Sequence, residues 1–158
     1  MKSKFLLALA LLGSGAFAAF ADGYIDGVEY YQVGQAKNAE IVLNKTLNDA
    51  ETNKAEAYYY LGCIALEKGD KAAAEEWFNK GIAANAEYAY NYVGKGVLAL
   101  QSNNTSAAED LFKEAEKIDK KDAAVKIEIA RAYYKTDKVK FNKEWNEFVK
   151  KAKKANKK

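Results

Sequence analysis

The chain has 158 residues, 49% of them apolar, and a formal charge of +3, too small to drive nucleic-acid binding by charge. It has no histidine, the commonest general base and metal ligand, and one cysteine, Cys63, so an intramolecular disulfide and a CxxC site are both excluded. No glycine-rich phosphate loop occurs, since Gly94-Lys95-Gly96 lies inside a helical pattern. Neither catalytic residues nor a metal site nor a cofactor is expected.

Residues 1–21 read as a secretory signal. Lys2 and Lys4 precede an apolar run from Phe5 to Leu12, and Ala19-Phe20-Ala21 is a small-residue cleavage site, with Ala16-Phe17-Ala18 as a second. The run falls short of the ~20 residues a membrane span needs, and Gly13, Ser14 and Gly15 interrupt it. The absence of a cysteine near the junction argues against a lipoprotein. The expected product is exported, periplasmic or secreted, after cleavage near Ala21.

From there the apolar residues recur at spacings of three and four, the period of an α-helix. Helix 1A is expected from Tyr24 to Val33, Gly34-Gln35 as a turn, and helix 1B from Ala36 to about Asn48. Asn53 followed by Glu56 reads as a capping box for helix 2A, whose apolar face runs through Tyr58, Leu61, Ile64 and Ala65. Lys68-Gly69-Asp70-Lys71 is a turn with Asp70 as the next N-cap, and helix 2B follows through Ala73, Ala74, Trp77, Phe78 and Ile82. Helix 3A is expected from about Glu87, carrying Tyr88, Tyr90 and Tyr92. Its turn is Asn103 to Ser106, with Ser106 and Glu109 as a capping box, and helix 3B runs to about Ile118. Helix 4A spans Ala123 to Lys135, and helix 4B carries Phe141, Trp145, Phe148, Val149 and Ala152. Glu75-Glu76, Glu109-Asp110 and Glu114/Glu116 read as solvated charges beside lysines on the B helices. Cys63 reads as a small apolar residue near the packing seam.

The pattern repeats. A shift of about 34 residues places Ala74 on Ala108, Phe78 on Phe112 and Gly62 on Gly96. A shift of about 35 backwards places Gly62 on Gly27, Gly69 on Gly34, Ala74 on Ala39 and Phe78 on Leu43. A helix–turn–helix unit of this period resembles the tetratricopeptide repeat. The resemblance rests on Tyr58, Leu61-Gly62, Ala65, Ala74, Phe78 and Gly81, and it extends from about Gly23 to the end. It implies an all-α fold, an α-solenoid of stacked antiparallel helix hairpins. Three clear units (about 22–53, 54–87 and 88–121) and a degenerate fourth (122–158) make one domain, 22–158. Two features depart from the family: the chain has no proline, and Ala130 stands where the fourth unit should have glycine.

The resemblance also implies a concave face of helix A residues that holds an extended peptide or a partner helix. Carried onto this chain, those positions are Tyr24, Val28, Tyr31, Glu56, Tyr59, Cys63, Leu66, Tyr90, Val93, Val97, Leu100, Ile127, Arg131 and Tyr134. Tyr24 and Val28 stand where the carboxylate-clamp subtype has lysine and asparagine, so a receptor for chaperone tails is not expected. The expected function is a non-enzymatic interaction module or scaffold of the cell envelope, with a protein or peptide partner and no nucleic acid. Two alternatives stay open. Six lysines from Lys150 to Lys158 suit association with an anionic membrane surface, the repeats then serving as a spacer. Helix 4B could also self-associate by end-to-end stacking. Either it closes the array, or the lysine run is a join before another repeat.

Overall fold

The computed structural model describes residues 26–120, 123–134 and 136–155. The proposed signal segment, Tyr24, Lys135 and the final lysines therefore lie outside the described residues. The described chain is all α-helical and divides into two compact units, Met1–Thr52 and Asn53–Lys158.

In the first unit, residues 26–32 are helical (α1) and Ala36–Thr46 form α2. Gly34 takes φ +80, a left-handed conformation that an L side chain resists, and the Gln35 amide closes the turn onto the Tyr30 carbonyl at 2.8 Å. A Cβ on Gly27 would lie 2.9 Å from Leu43, so the glycine lets the two helices approach. The Thr52 hydroxyl donates to the Thr46 carbonyl at 2.6 Å and satisfies one of the carbonyls left open at the end of α2.

The second unit holds three hairpins: α3 (Lys54–Glu67) with α4 (Lys71–Ala84), α5 (Tyr90–Gln101) with α6 (Thr105–Ile118), and α7 (Ala123–Tyr133) with α8 (Lys138–Ala155). The first hairpin turn repeats the closure seen at Gly34. Gly69 has φ +77, and the Asp70 amide reaches the Ala65 carbonyl at 2.9 Å. The second does the same without glycine: Asn103 takes φ 58, and the Asn104 amide reaches Ala99 at 2.8 Å. Asparagine tolerates this region better than other side chains. In the third hairpin the Asp137 amide returns to the Tyr133 carbonyl at 2.9 Å, one residue shorter, which makes the fourth unit fit the repeat only after a slip.

The caps correct part of the reading from sequence. Asp70 caps α4, its carboxylate accepting from the Ala73 amide at 3.0 Å. Asn53 caps α3 through the Glu56 amide at 3.4 Å, while its own side-chain amide donates to the Glu56 carboxylate. Ser106 does not cap α6. Asn104 does, accepting from the Ala107 amide at 3.1 Å, and the helix begins at Thr105. Helix α5 begins at Tyr90 rather than Glu87, with Tyr88 in the preceding loop.

One ring organises the packing between successive hairpins. Phe78 of α4 is fully buried. A Cβ on Gly62 of α3 would stand 2.4 Å from its Cε1, and one on Gly94 of α5 would stand 2.3 Å from the same atom. The ring is therefore held between two glycines on successive A helices. Burying such a side chain contributes about 1.5–3 kcal/mol. Phe112 repeats the arrangement against Gly96 and meets the Tyr133 ring edge-on at 5.3 Å. In this unit α3 packs on α5 and α5 on α7, so the A helices form one layer. Polar ties cross the hairpins: the Lys71 ammonium donates to the Gln101 carbonyl at 2.7 Å, and the buried Asn91 amide donates to the Ala55 carbonyl at 2.9 Å.

Candidate functional site

The layer α3–α5–α7 carries most of the expected lining. Glu56, Tyr59, Cys63 and Leu66 stand three or four residues apart, hence on one stripe of α3, and all four are half-buried. On α5, Tyr90, Val97 and Leu100 are half-buried. Val93 is a correction: it is 2% exposed and packs in the core with Phe112, Val125 and Ile129, so no ligand reaches it. On α7, Ile127 is half-buried, while Arg131 is exposed and paired with Glu128. Tyr134, just past the end of α7, is 60% exposed and meets Phe141 edge-on at 5.3 Å. Val28 and Tyr31 are half-buried on α1, in the other unit.

Tyr59 is the centre of an aromatic cluster. Its ring lies 5.5 Å from Tyr90, 6.4 Å from Tyr88, 5.2 Å from Tyr60 and 6.3 Å from Phe78, and Tyr88 lies 5.4 Å from Tyr90. Tyr88 and Tyr60 were not among the lining residues expected from sequence. Two residues apart on one helix, Tyr88 and Tyr90 would point about 200° from each other. Because α5 starts at Tyr90, Tyr88 folds back in the loop and joins it. Such rings offer large apolar area with a hydrogen-bonding tip, the composition that protein interfaces favour.

The B-helix side carries charge instead. Lys126 of α7 bridges Glu116 of α6 and Glu144 of α8, and its side chain is 12% exposed. Lys140 pairs with Glu109 across 31 positions of sequence. Glu109 and Glu116, expected to be solvated, thus join separate hairpins. The Lys140 ammonium hydrogen-bonds the Glu109 carboxylate and lowers its pKa, and the same bond raises that of Lys140. Burial, then the carboxylates of Glu109, Glu144 and Asp137, push the Tyr133 phenol up to about 12. A cavity of about 360 Å³ lies among these groups, lined by Glu109, Phe112, Tyr133, Lys140 and Glu144 among others. Its charged walls are matched to one another, which suits structure better than ligand binding.

A family model of the tetratricopeptide repeat matches residues 55–88. A search of curated proteins finds no match. Among solved structures the chain is similar to the crystal structure of MamA, with 23% identity and a TM-score of 0.59 over 88% of this chain and 81% of that one. It is also similar to TTC0263, a tetratricopeptide-repeat protein of Thermus thermophilus, with 19% identity and a TM-score of 0.63 over 84% of this chain and 72% of that one. A third likeness is to an O-GlcNAc transferase of Thermobaculum terrenum, with 16% identity and a TM-score of 0.62, over 79% of this chain and only 24% of the enzyme. At these identities the likeness is one of fold. The stretch Ala55–Tyr88 thus matches the tetratricopeptide repeat, and the same hairpin recurs on either side of it in a fold shared with tetratricopeptide-repeat proteins.

Proposed function

We propose that this protein is a non-enzymatic interaction module that binds an extended peptide or a partner helix against the layer α3–α5–α7. Tetratricopeptide repeats generally mediate protein–protein contacts, and a stack of hairpins presents a continuous surface for that purpose. The observation that carries the reading is the half-buried cluster of Tyr59, Tyr88 and Tyr90, flanked by Cys63, Leu66 and Val97. Its rings meet within one patch, and Glu56 is the acid placed on the α3 stripe beside it. A mostly apolar ligand with few charges suits it better than a basic or acidic tail. The cleavable-signal pattern of residues 1–21 supports export, and with it a scaffolding role in the cell envelope.

The test is affinity capture from envelope extract on the immobilised protein, with a Tyr59→Ala, Tyr90→Ala variant alongside. A partner kept by the wild type and lost by a variant of unchanged helicity supports the assignment. Equal retention on both, with the variant folded, refutes it.

A further inference from the structure

In the unit from Asn53 each B helix except one lies between two A helices. α4 packs on α3 and α5, and α6 packs on α5 and α7, whereas α8 packs on α7, with Lys140 reaching Glu109 of α6. The other side of α8 is an exposed line. Lys138, Asn142, Trp145, Val149 and Lys153 fall within a narrow arc of the helix at its period of 3.6 residues. Trp145 is 39% exposed, and Lys138, Asn142 and Lys153 are exposed too. The acids of α8, Glu144 and Glu147, stand on a different side, and Glu144 is engaged with Lys126. The exposed line is thus cationic with an aromatic centre.

A matching surface exists on the same chain. The described residues of the first unit carry five carboxylates against two lysines, whereas α8 carries seven lysines against two glutamates. On α1, Asp26 and Glu29 are exposed about one turn apart, and Val33, 68% exposed, continues their line beyond the helix end. α1 is moreover an A helix, the kind of helix that α4 and α6 each receive on their far side.

We propose that the exposed line of α8 receives α1 of a second copy of this chain. With the two helices antiparallel, Val33 then lies against Trp145, and Asp26 and Glu29, both on one side of it, lie toward the exposed Lys150 and Lys153. The two surfaces differ, so the contact is head-to-tail, and each added copy offers the same pair of surfaces to the next, so association continues past a dimer. It uses neither Tyr59 nor Tyr90, and so stands independently of the tyrosine face.

Sedimentation velocity on the full chain tests this directly. The mean mass should rise with protein concentration and fall as salt is raised from about 0.05 M to about 0.5 M. Two charge-reversed variants, Asp26→Lys with Glu29→Lys and Lys150→Glu with Lys153→Glu, should each associate about tenfold more weakly alone. Mixed together, the two variants should associate again, because each supplies the surface the other has lost. A wild type that is a single chain at every concentration overturns the proposal, as does a mixture that stays apart while each variant retains wild-type helicity. A single chain that instead sediments with phosphatidylglycerol vesicles through Lys150 and Lys153 also overturns it, in favour of a lipid surface.

Discussion

Replacing Gly94 by alanine places a methyl group 2.3 Å from Phe78 Cε1, with Cζ at 2.5 Å and Cδ1 at 2.7 Å. The ring has little room to retreat, because Gly62 stands against the same edge, where a Cβ would lie 2.4 Å from Cε1. Helix propensity alone favours alanine by about 0.8–1 kcal/mol. Overpacking a core costs about 1–3 kcal/mol, and the upper half of that range applies where two helix backbones already crowd the same ring edge. The net expectation is a destabilisation of about 1–2 kcal/mol. Phe78→Leu removes Cε1 and Cζ and leaves only atoms near Cδ1, at the end of a rotatable bond. In that background the overpacking largely disappears, and Gly94→Ala should range from neutral to stabilising by about 1 kcal/mol. The two substitutions therefore couple by about 2 kcal/mol. Urea unfolding followed by circular dichroism at 222 nm, with one m-value for all four chains, measures this. Gly69→Ala serves as the control. Its φ is +77 and a Cβ there meets nothing within 4 Å, so its cost is conformational and should be the same with either residue at position 78. Additivity of Gly94→Ala and Phe78→Leu within about 0.5 kcal/mol would refute the clamp.

Three further outcomes are expected. Lys126→Met leaves the Glu116 and Glu144 carboxylates without their shared cation and should destabilise by about 1–3 kcal/mol at neutral pH. Urea midpoints of the two chains check it. Asn104→Ala should cost about 1 kcal/mol through loss of the α6 cap, while Ser106→Ala should stay within about 0.5 kcal/mol, both read from thermal or urea unfolding. The Tyr133 phenol keeps its proton to about pH 12 in the folded chain. Once unfolded it ionises at about pH 10, so stability should fall as pH rises from that value toward the folded one. The raised Lys140 ammonium adds to the same alkaline loss, and the lowered Glu109 carboxylate loses its contribution as pH falls through the acid range. Tyr133→Phe should flatten the alkaline limb of a urea-midpoint profile and leave the acid limb in place.

Much of this fold was legible because the signals were local. Gly34, Gly69 and Asp70 announce turns and caps whose chemistry lies within a few residues. The period of Gly62, Ala74 and Phe78 carries the stacking. The second turn was misjudged at Ser106, although a shift of one period puts Asn103-Asn104 on Gly69-Asp70, and the same two roles fall on the same two places. Val93 was misplaced because a residue at a nominal lining position still packs inward where the next hairpin rises over it. The tyrosine cluster was half legible: Tyr59 and Tyr90 follow from the helix period, but Tyr88 depends on where α5 begins. The pairings of Lys140 with Glu109 and of Lys126 with Glu144 were beyond the sequence. Many lysines and acids are available, and only the angle between hairpins selects among them.

Asn91 has a consequence of another kind. It occupies the place on α5 that Ala57 occupies on α3, and it is fully buried. Its nitrogen finds the Ala55 carbonyl, but its Oδ1, directly against Gly81, is a buried atom with no partner among the described residues. An unmade hydrogen bond of that kind costs about 1–3 kcal/mol. Successive hairpins with nearly identical apolar faces could slide by a turn or trade places at little cost. A single amide that fits one carbonyl makes those mispairings unfavourable. The buried asparagine thus gives neighbouring repeats an address, so that hairpins built from one template assemble in one order.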